Sequence, residues 1–141
     1  MQMNPYLNFK GECEAAFKFY EQCLGGRPEA IFRYSGTPLA DQVSADWSDK
    51  VMHGSMTIGD QTLMGADAPP DRYEEPKGFS LSLHIKSTAD AERIFHDLAE
   101  GGRVVMPLEK TFWAARFGML VDRFGIPWMI NGEGSDQPPE G

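Results

Sequence analysis

An internal repeat narrows the possible folds of this chain more than any other feature. Leu7, Phe9, Lys10, Ala15 and Phe19 recur 76 residues later as Leu83, Ile85, Lys86, Ala91 and Phe95, and Gly25-Gly26-Arg27 recurs as Gly101-Gly102-Arg103. A register kept through strand, helix and glycine stop reads as two copies of one supersecondary unit. In the first copy, residues 4–9 alternate in polarity like a half-buried strand. Residues 12–24 carry Cys13, Ala16, Phe17, Tyr20 and Leu24 at helical spacing, and Gly25-Gly26 ends that helix. A strand over 28–35, a polar loop over 36–50 and a hairpin over 51–59 and 61–66, turning at Gly59-Asp60, complete the copy. Residues 67–77 hold three prolines and six charges and read as a solvated linker. In the second copy, 78–86 alternates like a strand. Ser87-Thr88 opens a helix with Asp90 in capping-box position, and Ala91, Ile94, Phe95, Leu98 and Ala99 form its apolar stripe. Strands are expected near 103–108, 114–122 and 126–131, and a disordered tail over 132–141. The class is therefore α+β: one domain over 1–131, built from a βαβββ module at about 4–66 and another at about 78–131.

Composition bounds the partners. Of 141 residues, 41% are hydrophobic and 24% charged, which permits a packed core, and a net charge of −8 repels nucleic acid. No uncharged apolar run nears the ~18 residues of a membrane span. The start, MQMNPYLNFKGE, lacks a basic segment followed by an apolar one, so a cytoplasmic protein is expected. Cys13 and Cys23 lie on one predicted helix about 15 Å apart, too far for a disulfide, and are read as reduced thiols. With no histidine close in sequence they make no zinc site.

Three stretches, PYLNFKGECEAAFKFY, HGSMTIGDQTLMGADAPP and TFWAARFGMLVDRFGIPWMIN, resemble the vicinal oxygen chelate superfamily of glyoxalase I, bleomycin-resistance proteins and extradiol dioxygenases. They are most similar to its PhnB-like branch, over about residues 4–131. The resemblance implies two βαβββ modules forming a curved mixed sheet around a cleft, helices on the convex side, a homodimer, and a small organic ligand. A demethylubiquinone methyltransferase label has been attached to that branch. No glycine-rich loop between a strand and a helix supports it here, because GDQTLMG and GEG fall on a hairpin and in the tail.

In the metal-using members each module gives one ligand from its first strand and one from its last. The corresponding positions here are Asn4, Met64, Ser80 and Met129. Thioethers are soft and neutral, and a carboxamide and a hydroxyl are weak ligands, so neither a metal nor another cofactor is expected. Among the three histidines, His96 falls off its helix stripe and reads as solvated, and His84 reads as a rim residue. His53 alternates with Ser55 and Thr57 opposite Met52, Met56 and Ile58, on the expected cavity face. A structural imidazole and a ligand contact both fit His53, and one histidine makes no triad. Arg116 is expected on the concave side with Ala114 and Gly118, while Phe117, Met119 and Val121 turn toward the second helix. An inward guanidinium requires an anion, either an internal carboxylate or a ligand. Tyr6 and Trp113 are aromatic candidates for closing over a ligand, and Phe112 reads as core or interface. The function expected is metal-free binding of a small molecule, with a sequestering or resistance-like role. The alternatives are a lyase or isomerase using His53 as acid or base, and an interaction domain whose cleft is filled by side chains.

Overall fold

The computed structural model describes residues 1–134. It divides into two compact units that meet in sequence at Glu75 and Pro76. The first contains β1 (Tyr6–Phe9), α1 (Cys13–Leu24), β2 (Arg27–Arg33), β3 (Val51–Ile58) and β4 (Gln61–Asp67), with sheet order β1-β4-β3-β2. The second contains β5 (Leu81–Ile85), α2 (Thr88–Ala99), β6 (Arg103–Glu109), β7 (Arg116–Val121) and β8 (Pro127–Gly132), with order β5-β8-β7-β6. In each, the first strand pairs parallel with the last and the remaining pairs are antiparallel. Both units are thus βαβββ modules with mixed sheets, as the repeat implies.

The repeat is not uniform. The first strand, the glycine stop and the strand after it keep the 76-residue offset, but α1 and α2 overlay at 75. The starts of the third and fourth strands are offset by only 65 and 66, because the 34–50 connection is longer than that over 110–115. Ala16 and Tyr20, not Ala15 and Phe19, are the buried counterparts of Ala91 and Phe95. The connection into α2 is one residue shorter than that into α1, and the connection out of it is one longer. Gly132 and Glu133, expected in the tail, belong to the folded unit. Gly132 closes β8 and the Glu133 N–H bonds the Ile85 carbonyl, while residues 135–141 lie outside the described residues.

Each helix is fixed at one end by a local signal and along its length by the sheet. Gly25 takes φ 76° and returns its N–H to the Glu21 carbonyl, ending α1. The Ser87 hydroxyl accepts the Asp90 N–H at 3.1 Å, starting α2. Cys13, Ala16, Phe17, Tyr20 and Cys23 are buried on α1, and Ala91, Phe95 and Leu98 on α2. The third strand of each module carries a glycine at the close approach. A Cβ on Gly54 would sit 3.1 Å from the Phe17 ring, and one on Gly118 would sit 2.7 Å from the Phe95 ring.

Among the described residues two carboxylates are buried, one per unit. Asp67, which the sequence places in a solvated linker, is instead the last residue of β4 and only 1% exposed. Its Oδ1 accepts the N–H groups of Gly11 (3.0 Å) and Cys13 (2.8 Å), and its Oδ2 accepts that of Val51 (2.9 Å). Its carbonyl accepts the Tyr34 hydroxyl at 2.8 Å. Asp122 accepts the Phe124 and Ile126 N–H groups on Oδ1 and the Trp128 indole N–H on Oδ2. A buried charge is tolerated only when bonded in this way, each such bond contributing about 1.5–3 kcal/mol.

Cys13 sits directly against Asp67. Burial, then the Asp67 and Glu14 charges, push its thiol far above the usual range. The native state therefore holds a proton that the unfolded chain releases near pH 9, so stability should fall as pH rises beyond that point. Urea melts from pH 8 to 10.5 should show a loss of up to about 1.4 kcal/mol per pH unit, and Cys13→Ala should flatten that slope below pH 10. A slope unchanged by Cys13→Ala would contradict this assignment.

Candidate functional site

The face of the first sheet turned away from α1 carries the candidate residues. On β1, Leu7 and Phe9 are buried under the helix, which leaves Tyr6 and Asn8 on the opposite face. On β3, Gly54 and Met56 point to α1, so His53, Ser55 and Thr57 point away. On β4, Leu63, Gly65 and Asp67 are buried, and Thr62, Met64 and Ala66 alternate with them. Phe32 of β2 is the register partner of His53, and Met64 is that of both Tyr6 and Ser55.

These placements build an aromatic wall. The Tyr6 hydroxyl lies 3.0 Å from His53 Nδ1, with ring centroids 5.6 Å apart and planes 30° from parallel. The Phe32 ring flanks the imidazole on its other side at 6.4 Å and 24°. Tyr6 is 44% exposed and Phe32 53% exposed, so the wall is open to a ligand. Burial, then Cys13 and Tyr34, raise the Tyr6 phenol above its usual range, so the hydroxyl keeps a proton that it can donate to Nδ1. With Tyr6 as the donor, a neutral imidazole carries its own proton on Nε2. At the far end of β3, exposed Glu29 accepts the Thr57 hydroxyl and pairs with Arg27, holding its carboxyl below the usual range.

The remaining candidates are scattered. Asn4 lies ahead of β1 in a recess of about 260 Å³ with Gln2, Met3, Asp60 and Gln61. Ser80 lies just ahead of β5, and Met129 is half-buried on β8 opposite Ser82 and Met119. Trp113 packs edge-on against Phe117 at 5.3 Å, and Phe112, 97% exposed, packs against Trp113 and not in the core of its unit. Arg116 reverses the expected orientation. Gly118 and Leu120 face α2, and Arg116 shares their side, with Nε 3.4 Å from Glu92 of that helix and Nη1 2.7 Å from the Ala115 carbonyl. Phe117, Met119 and Val121 take the other face. Phe32, by contrast, had no sequence signal, because its partnership with His53 depends on pairing across the long 34–50 connection.

Asn4, Met64, Ser80 and Met129 do not fit a divalent ion, and among the described residues no three His, Cys, Asp or Glu side chains cluster to hold one. A donor set of two thioethers, a carboxamide and a hydroxyl offers nothing to offset the ion's lost hydration.

Two mixed-sheet βαβββ modules, each with one helix across one sheet face, define the fold class. The chain belongs to the glyoxalase/bleomycin resistance protein/dioxygenase superfamily, whose model matches residues 2–130. It is 33% identical over 139 residues to protein YjdN of Escherichia coli K12, covering 93% of this chain and 95% of that one. It is similar to the crystal structure of protein PA1353 from Pseudomonas aeruginosa (50% identity, TM-score 0.86, covering 94% of this chain and 98% of the other). It is also similar to a PhnB protein from Bacillus cereus described as a putative 3-demethylubiquinone-9 3-methyltransferase (25% identity, TM-score 0.79, 94% and 99%). Among the described residues no helix is long and apolar enough to cross a membrane.

The Tyr6–His53 contact has a spectroscopic consequence. Long-range ¹⁵N–¹H NMR at pH 8 should show His53 as the Nε2–H tautomer. Tyr6→Phe should let the Nδ1–H form appear. A wild-type Nδ1–H tautomer would mean that the imidazole is the donor in this pair.

Proposed function

We propose that the protein binds a small, flat organic molecule against Tyr6, His53 and Phe32, without a metal ion. The observation that carries this reading is the half-exposed aromatic wall, with its imidazole held at 3.0 Å by the Tyr6 hydroxyl. Near-parallel aromatic faces suit stacking on a planar ligand, and the His53 Nε2–H supplies one directional donor. Ser55 and Thr57 add hydroxyls on the same face, and Met64 beneath Tyr6 supplies adaptable packing. The donor chemistry at Asn4, Met64, Ser80 and Met129 supports the metal-free part. Superfamily membership agrees with a sequestering, resistance-like role but does not choose the ligand.

The Tyr6–His53 pair also supports a second reading, a lyase or isomerase. A neutral imidazole oriented through Nδ1 can pass a proton at Nε2, the arrangement needed of a general acid or base. Solvent deuterium appearing in a bound substrate, lost in His53→Gln with binding kept, would establish it.

We further propose a cytoplasmic homodimer. The support is the edge strand β6, which exposes Val104, Val105 and Met106. Sedimentation at micromolar concentration should give twice the 15.7 kDa chain mass, and a 15.7 kDa species would overturn it.

The binding reading is tested by screening planar heteroaromatic compounds by ligand-observed NMR against the chelator-treated protein. Hits should compete with one another and lose about tenfold in affinity, roughly 1.4 kcal/mol, in Phe32→Ala and His53→Ala. Hits unaffected by both substitutions, or binding only after a divalent metal is restored, would overturn it.

A further inference from the structure

The second sheet presents its own open face. His84, Asn131 and Phe117 are register partners across β5, β8 and β7, and Trp113 stands against Phe117. His84, Trp113, Ala114, Ala115, Asn131 and Glu133 are among the residues that line a recess of about 270 Å³.

The polar groups of this recess are one-sided. Asn131 spends its amide nitrogen on Ser82 Oγ at 3.2 Å and the Leu83 carbonyl at 3.3 Å, so its carboxamide has only the Oδ1 acceptor left to offer. Glu133 ties its backbone N–H to Ile85, but among the described residues its carboxylate enters no ion pair. The His84 ring is exposed and, when neutral, presents a further acceptor nitrogen. Trp113 lines the recess and is 55% exposed. Among the described residues no lysine or arginine lines the recess; the neighbouring Arg116 guanidinium is engaged by Glu92 and the Ala115 carbonyl. Acceptors and an aromatic ring with no positive charge in the lining are the complement of a cation that carries N–H donors.

We propose that this recess binds a small organic ammonium ion, its charge over the Trp113 indole and its N–H groups on Asn131 Oδ1 and the Glu133 carboxylate. A cation over a tryptophan face gains most from the ring quadrupole, and N–H donors to a carboxylate make the stronger kind of hydrogen bond. The chain's net charge of −8 raises the local cation concentration and disfavours anions. The site lies wholly in the second unit and does not rest on the aromatic wall of the first.

Cyclohexylammonium chloride is titrated into the full-length protein at fixed ionic strength, with cyclohexanol and cyclohexanecarboxylate as neutral and anionic controls. The indole Nε1–H and side-chain amide signals are followed by ¹⁵N–¹H NMR. Saturable shifts of Trp113 and Asn131 are expected, with affinity about tenfold above that for cyclohexanol and no saturation by the carboxylate. Glu133→Gln and Trp113→Ala, both at exposed positions, should each weaken binding about fivefold or more. Glu21→Gln on α1, which removes the same charge from a residue outside the recess lining, should leave it within about twofold. Shifts linear in concentration, equal affinity for cyclohexanol, or an equal loss in Glu21→Gln would overturn the proposal. The last result would reduce the effect to overall charge.

Discussion

The buried carboxylate of Asp67 is the interaction on which the first unit depends. It gathers N–H groups from the β1–α1 connection, the first turn of α1 and the first residue of β3, segments that are distant in sequence. The Tyr34 hydroxyl closes on its carbonyl and anchors the start of the long 34–50 connection. The cost of burying the charge is recovered only if all these donors arrive together, which makes the arrangement cooperative. The consequence reaches the candidate site. Val51 is held by the carboxylate, and between it and His53 the β2–β3 register slips by one residue. The phase of β3 after this slip turns Gly54 toward α1 and His53 outward beside Phe32. Asp122 serves the second unit over a shorter range, satisfying a tight turn and one indole within six residues.

Much of the fold could be read from the sequence, because its signals are local. Glycine stops, the Ser87 cap and alternation on β1 and β3 each act over a few residues and were sufficient to place both helices and the duplicated order. Asp67 was not legible: it opens a run of prolines and charges, and its donors lie 16 to 56 residues away. The helix register shifted for a similar reason, since a constant offset ignores compensating changes in the connections at either end. Arg116 failed through a specific ambiguity. Alternation assigns faces only when one face is polar, and β7 has apolar residues on both, with Leu120 filling the core and Phe117 carrying Trp113. The glycine was the decisive residue, because Gly118 leaves the space that the Phe95 ring occupies.

The candidate site was half legible. His53 and Tyr6 could be assigned to one face from the strand period, but their hydrogen bond spans β4, and Phe32 joins them only through the pairing of β2 with β3. The resemblance supplied the fold and the four positions at which relatives place metal ligands. The residues at those positions supplied the departure from that chemistry. A shared scaffold carries many activities; the proposed binding wall of Tyr6, His53 and Phe32 stands apart from those four positions, which carry Asn4, Met64, Ser80 and Met129.

Native mass spectrometry of the freshly purified, untagged protein tests the metal-free binding account most directly. The account predicts chains that carry an organic adduct, or none, at a mass free of stoichiometric metal, with any adduct lost in Phe32→Ala. One zinc, nickel, iron or manganese per chain, retained through dialysis against a chelator, would contradict it.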